Sequence, residues 1–236
     1  MNFPEYAGHN GGVPEAQTRG QFIKAAYSYL AVAVLLFAVL SFGLYASGAS
    51  FAMLKMLGAS KWAWLGVMGA FMVVGWLATN AADNSESNSV QMLALGGYVV
   101  AESLIFAPML AMASIIAPGA IQAAAIATLA LVAGLTFTAF TSKTDFSFLG
   151  GFLKIGGLVA IGVIIAGVLF GFKLGVWFSG AMILFAGACV LYDTSQIIHH
   201  YPADRPAGAA LHLFASVALL FWYVLRLIMS LTGNDD

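Results

Sequence analysis

The chain has 236 residues, of which 61% are hydrophobic and 8% charged, with a formal net charge of −1. A soluble domain carries roughly 25% charged residues, because most of its exterior must be solvated, so the composition excludes a water-soluble globule. Without a basic run there is no electrostatic footprint for phosphate backbones, which excludes nucleic acid as a partner. The single cysteine, Cys189, excludes an intramolecular disulfide.

The first 24 residues hold Pro4, Gly8, Gly11, Gly12 and Pro14 and no apolar core. They are expected to form a polar, disordered tail rather than a cleavable signal peptide. A helix needs about 20 apolar residues to cross a hydrocarbon core of about 30 Å. Stretches of that kind run Ala25 to Ala46, Trp62 to Thr79, Val90 to Ile116, Gly119 to Thr141, Ile155 to Phe172, Leu174 to Ile198, and Pro206 to Leu231. They lack strand alternation and exceed the length of a barrel strand, so helices must satisfy the backbone in lipid. The expected fold is an all-α integral membrane protein: a tail over 1–24, a seven-helix transmembrane domain over 25–232, and a short tail over 233–236.

The connections fit this division. Asn80 to Ser89, NAADNSESNS, reads as a polar loop, and Ala117-Pro118 as a tight helical hairpin. In the fifth span the small-xxx-small spacings Gly156 to Ala160, Gly162 to Ala166 and Gly167 to Gly171 predict close packing against a neighbouring helix within the chain. With the N-terminus inside, five basic residues (Arg19, Lys24, Lys143, Lys154, Arg205) face four (Lys55, Lys61, Lys173, Arg226), favouring a cytoplasmic N-terminus. Short tails of low charge point to a bacterial inner membrane.

Ionisable residues inside a span are costly, about 2.5 to 3.5 kcal/mol at the centre on insertion scales, and so mark candidate sites. Glu102 lies in the third span, expected to pair with Tyr98 or Gln91 on its own face. Asp193 lies in the sixth, which His199 and His200 close, and His212 and Arg226 lie in the seventh. At 100° per residue His212, Ser216, Leu219, Tyr223 and Arg226 share one face of the last helix, a polar stripe that lipid would not tolerate, so that helix should be central. Asp193, Gln196 and His200 follow an i, i+3, i+7 pattern on the sixth.

Asp193 lies about 8 Å in from Ile198, and Ser216 about 15 Å past Pro206, at 1.5 Å per residue. A short linker joins these helices, so Asp193, His200, His212 and Ser216 are expected in one half of the membrane as an ion-binding or pH-sensing cluster, where a carboxylate beside imidazoles titrates away from its usual range. Arg226 is expected to snorkel to the opposite interface. Enzyme templates fit poorly, since neither G-x-S-x-G nor H-E-x-x-H occurs, and no cofactor is implied. A metallohydrolase would draw its ligands from Asp193, His199 or His200, and His212.

Several motifs resemble, in order, the Bax inhibitor-1 family of membrane proteins. The stretch LYDTSQII from Leu191 to Ile198 is similar to its signature. Phe22 to Tyr27 with Leu30-Ala31, Ile105 to Leu110, Phe146 to Gly151, and Leu213 to Arg226 resemble its first helix, third-helix proline motif, loop before the fifth helix, and last helix. The resemblance implies seven helices with the last enclosed by the other six, and a pH-sensitive calcium leak; eukaryotic members suppress cell death. It further implies a gate of two aspartates, one each in the sixth and seventh helices, latched by an arginine from the second. Asp193 matches the first aspartate. Ser216 stands at the second, and no lysine or arginine occurs between Lys61 and Lys143.

The expected function is therefore a pH-sensitive ion leak channel or permease gated near Asp193, with membrane lipid around it and calcium or protons as permeant ions. The alternatives are a non-conducting scaffold that binds another membrane protein and, more remotely, the metallohydrolase.

Overall fold

The computed structural model describes residues 15–171 and 174–232. The helices are α1 (Glu15–Ala46), α2 (Ala49–Gly58), α3 (Lys61–Asn84), α4 (Asn88–Ile116), α5 (Ala120–Thr141), α6 (Leu149–Phe170), α7 (Val176–His199) and α8 (Pro206–Thr232), with a 3₁₀ turn at Phe146–Phe148 before α6. All but α2 are long and apolar enough to cross a membrane. The end of the bundle where α1 starts is called proximal. There α3 ends and α4 begins, α5 gives way to α6, and α7 gives way to α8.

The last helix occupies the centre. It packs against α1, α3, α4, α5 and α7, and Ala160 of α6 reaches it through a small cluster with Met182 and Tyr223. Leu211, Leu213, Phe214, Leu220 and Leu225 are almost fully buried. By contrast α6 is the outermost helix, and its Phe152, Ile155 and Leu158 are open to the surroundings, as suits a surface meeting lipid tails as apolar as itself. Of the predicted small-residue spacings, Gly156 faces Phe185 of α7 and Ala160 and Gly167 are buried, whereas a Cβ at Gly162 or Gly171 would meet nothing within 4 Å; Gly150, outside those spacings, faces Tyr192.

Beyond α6, which begins at Leu149 rather than Ile155, three boundaries differ from the sequence-based expectation for a physical reason. The polar tail is shorter than 24 residues, because α1 starts at Glu15; residues 1–14 and 233–236 lie outside the described residues. The extra turns form because they dock on the end of α7. Arg19 donates from Nε to the Ile198 carbonyl (2.9 Å), from a terminal nitrogen to the Gln196 carbonyl (3.3 Å), and to that of Tyr201. The Gln196 carbonyl already accepts from the His200 and Tyr201 amides, so the main gain is at the Ile198 and Tyr201 carbonyls, and a cation at a helix C-terminus also complements the helix dipole. The guanidinium stacks 5.0 Å over the buried Phe22 ring.

Secondly, α3 continues through the first half of the polar run, to Asn84 rather than Thr79. Composition reads Asn80 to Ser89 as a loop, but Ala78 and Ala82 keep helical spacing and are buried, and Asn84 Nδ2 bonds back to the Asn80 carbonyl at 2.9 Å. The helix simply outlasts the hydrocarbon. Thirdly, α2 replaces what reads as a distal connection. At ten residues it is about 15 Å long, too short to span, and it packs on α4 with Ser50 and Leu57 buried. Phe172, expected to close the fifth span, lies outside the described residues.

The α4–α5 hairpin forms as expected, through Ala117-Pro118 and Gly119. Gly119 has φ 88°, a left-handed conformation that glycine adopts without steric cost. Gln91, fully buried, ties the proximal connections together: its Nε2 donates to the Ser85 carbonyl (3.0 Å) and to that of Asp204 (3.4 Å), while its Oε1 accepts from the Gly208 amide (3.4 Å). It is thus occupied with the linkers rather than with Glu102.

Candidate functional site

At the proximal end, α3, α7, α8 and the α7–α8 linker enclose a cavity of about 340 Å³ whose lining includes Asp83, Asp193, Gln196, Tyr201, Arg205 and His212. Asp193 is six residues from the last residue of α7, so the cavity reaches about 9 Å into the bundle. There the Ser216 hydroxyl donates to Asp193 Oδ2, joining α7 to α8. Ser216 itself is buried.

His212 lies one helical turn nearer the opening. Its side chain leans toward the start of α8, as helical side chains do, and its Nε2 sits 2.9 and 3.1 Å from the two carboxylate oxygens of Asp83. Tyr201 Oη donates to Asp83 Oδ1 at 2.7 Å, and Arg205 donates to the Asp83 backbone carbonyl. Burial first, then that bond to Asp83, pushes the Tyr201 phenol well above its usual value. The phenol therefore remains a donor at neutral pH.

Asp83, Tyr201 and Arg205 are residues that sequence reasoning passed over. Asp83 was hidden by its place in a run read as loop. The signal for it lay in Ala78 and Ala82, whose spacing carries α3 far enough to put Asp83 in its last turn.

Of the sequence-predicted residues, the structure brings Asp193, Ser216 and His212 together. His200 goes elsewhere. It does not share a face with Asp193 and Gln196, because α7 ends at His199 and His200 is already outside helical geometry, with φ −124°. Its Nε2 meets Asp145 Oδ2 at 2.6 Å. Asp145 also accepts from the Ser147 amide and the Ser195 hydroxyl, both at 2.9 Å, and the Phe146 amide donates to Ser195 Oγ at 2.9 Å. This small network latches the α5–α6 connection onto the end of α7.

The bond to His200, then that from the Ser147 amide, holds the Asp145 carboxyl well below the usual carboxylate range. A carboxyl whose folded value is depressed stabilises the fold above its unfolded value, about 3.9 for aspartate, and loses that contribution as pH falls through the folded value. Asp145→Asn is therefore expected to lower the thermal midpoint at pH 7. The difference from the unsubstituted protein should shrink as pH falls below about 3.9 and disappear only once the folded carboxyl is itself protonated; a difference that stayed constant through this acid range would remove the latch from the account.

Glu102 is buried within α4, one turn from Tyr98, and does not line the cavity. Arg226 donates to the Leu174 carbonyl at 2.9 Å, at the distal end of the bundle. The metallohydrolase ligands do not converge: His200 is on Asp145, His199 Nδ1 lies 3.1 Å from the Ser195 carbonyl, and among the described residues no group of three or more His, Cys, Asp and Glu is placed to hold a metal ion.

Residues 19–234, nearly the whole chain, match the family described as "Inhibitor of apoptosis-promoting Bax1". Comparison with curated proteins gives no significant match.

Proposed function

The chain belongs to the Bax inhibitor-1 family of membrane proteins, and from that premise we propose that it is a pH-sensitive cation leak, for protons or calcium, gated near Asp193. The observation that carries the proposal is the Asp193–Ser216 bond, which joins α7 to α8 at the depth of the polar cavity. A carboxylate at that place concentrates cations that enter from the proximal side. The five-to-four count of basic residues favours a cytoplasmic proximal side, which we read as that of a bacterial inner membrane.

The arrangement departs from the family gate in an interpretable way. The resemblance implies an arginine in the second span and an aspartate in the last. Here the second span supplies Asp83 and the last supplies His212, so acid and base have exchanged helices. A guanidinium is always charged, whereas an imidazole titrates in the physiological range. Acidification thus adds positive charge beside Asp193 and opposes cation entry. Calcium takes six to eight oxygen ligands, and here Asp83 is already engaged by Tyr201 and His212 and Asp193 Oδ2 by Ser216, so protons or monovalent cations suit the cavity better than calcium.

The test is flux of a panel of ions into liposomes holding the purified protein, between about pH 6 and pH 8, the range in which an imidazole ordinarily changes charge. Cation flux should fall on acidification, and His212→Gln should keep the flux at the alkaline end while removing the fall. No flux for any ion would leave the second reading, a non-conducting membrane scaffold.

A specific observation favours that rival. Distal to Ser216, the rings of Phe37, Phe106, Phe221 and Trp222 pack at centroid separations of 4.9 to 6.4 Å, closing the bundle across its centre. In the channel reading this layer is the closed gate.

A further inference from the structure

On the lipid-facing side, α1 and α5 each pack against α4 and α8 and leave a groove of about 630 Å³ between them. That is within the range of about 300 to 1,000 Å³ typical of ligand pockets. Its walls include Phe37 and Phe42 from α1 and Ala125 from α5, its floor includes Phe221, and no charged side chain lines it.

Five polar side chains, those of Ser41, Tyr45, Ser114, Gln122 and Thr128, interrupt the apolar lining, and two of them are buried without a partner. Ser41 is 6% exposed and Thr128 3%, and neither Ser41 Oγ nor Thr128 Oγ1 has a hydrogen-bond partner. Several helical hydroxyls of the bundle bond back to their own helix, Ser103 to the Val99 carbonyl, Ser114 to that of Ala111 and Thr138 to that of Gly134, each at 2.8 Å; Ser50, Thr136 and Ser179 also lack partners, but none of those three lines the groove. A hydroxyl left unpaired in hydrocarbon is costly, and Ser41 and Thr128 both border the groove. Ser41 lies about 8 Å from the end of α1, and Thr128 about 12 Å past the start of α5. Both ends are distal.

We propose that this groove binds an uncharged long-chain amphiphile, of the acylglycerol or long-chain alcohol class, whose hydroxyl or ester oxygen pairs with Ser41 and Thr128 while its chain lies along the aromatic walls. Depth argues against a phospholipid. To bring an ester linkage to Thr128 its phosphate would have to enter a groove that holds no cation.

The test uses the full chain reconstituted in phosphatidylcholine liposomes carrying one of three photoreactive diazirine probes: a sixteen-carbon alcohol, the matching alkane, or phosphatidylcholine with the same chain. The alcohol should label peptides from α1 and α5 about fivefold more than the alkane, the scale of one hydrogen bond, and more than the phospholipid. The paired substitution Ser41→Ala with Thr128→Val keeps the groove's shape and should reduce alcohol labelling to the alkane level without changing the thermal midpoint. Ala125→Phe, which fills the groove, should abolish labelling by both single-chain probes. Equal labelling by alcohol and alkane, stronger labelling by the phospholipid, or undiminished labelling of the paired variant would overturn the proposal.

Discussion

Replacing Asp193 with asparagine is expected to lower cation flux at the alkaline end of the profile at least about tenfold, equivalent to about 1.4 kcal/mol, and to flatten the profile. The substitution is nearly isosteric, and the amide oxygen can still accept from the Ser216 hydroxyl, so α7 and α8 remain joined. What disappears is the charge. The carboxylate stands where the polar cavity meets the apolar part of the bundle, a place where a buried charge is costly and so marks a candidate functional site.

Ser216→Asp is the complementary variant. It would set two carboxylates in hydrogen-bond reach of one another, and such pairs titrate as a coupled unit with one acid form retained to higher pH. The acid-dependent fall in flux should then move toward alkaline pH, and divalent cations should compete more strongly. Flux unchanged in both variants would remove Asp193 from the pathway.

The largest effect on stability is expected at Gly208. A Cβ built there would lie 2.8 Å from Tyr201 Oη, 3.2 Å from the Ala82 carbonyl oxygen and 3.5 Å from the Ala82 Cβ. The phenol is held by its bond to Asp83, and the carbonyl belongs to the backbone of α3, so neither yields cheaply. Glycine lets α3 and α8 touch backbone to backbone, as small residues do between membrane helices. Gly208→Val should cost about 1 to 3 kcal/mol by overpacking and should also part Tyr201 from Asp83, opening the cavity. Unfolding of the purified protein in detergent measures this, and a midpoint matching that of the unsubstituted chain would show that α3 and α8 are not locked at this point.

The spans were legible because bilayer thickness sets a length that composition must meet, and the central place of α8 followed from a polar stripe that lipid would reject. The ends of helices were less legible. A polar residue just beyond the hydrocarbon looks the same in a loop as in a last helical turn, which is why Asp83 was missed and the pairing of His212 with it. His200 was misplaced for the converse reason: a periodicity was extended one residue past the point where α7 stops. Asp145 carries a local signature, an acid two residues before a serine whose amide it accepts, but nothing in sequence spacing links it to Ser195 and His200 across the fold. Arg19 was assigned to a tail because its partners are carbonyls of α7, which no side-chain pattern reveals.

The polar cavity lies at the proximal end of the bundle, and the packed rings of Phe37, Phe106, Phe221 and Trp222 lie distal to it. In the proposed leak, water reaching Asp193 would bring the electrical potential of the proximal solution with it, so the membrane voltage would drop across the remaining aromatic part. At about 2.3 kcal/mol per elementary charge for each 100 mV, an ion that left Asp193 distally would meet nearly the whole of that drop over about the remaining two thirds of a crossing of about 30 Å, which would make the two directions of travel electrically unequal.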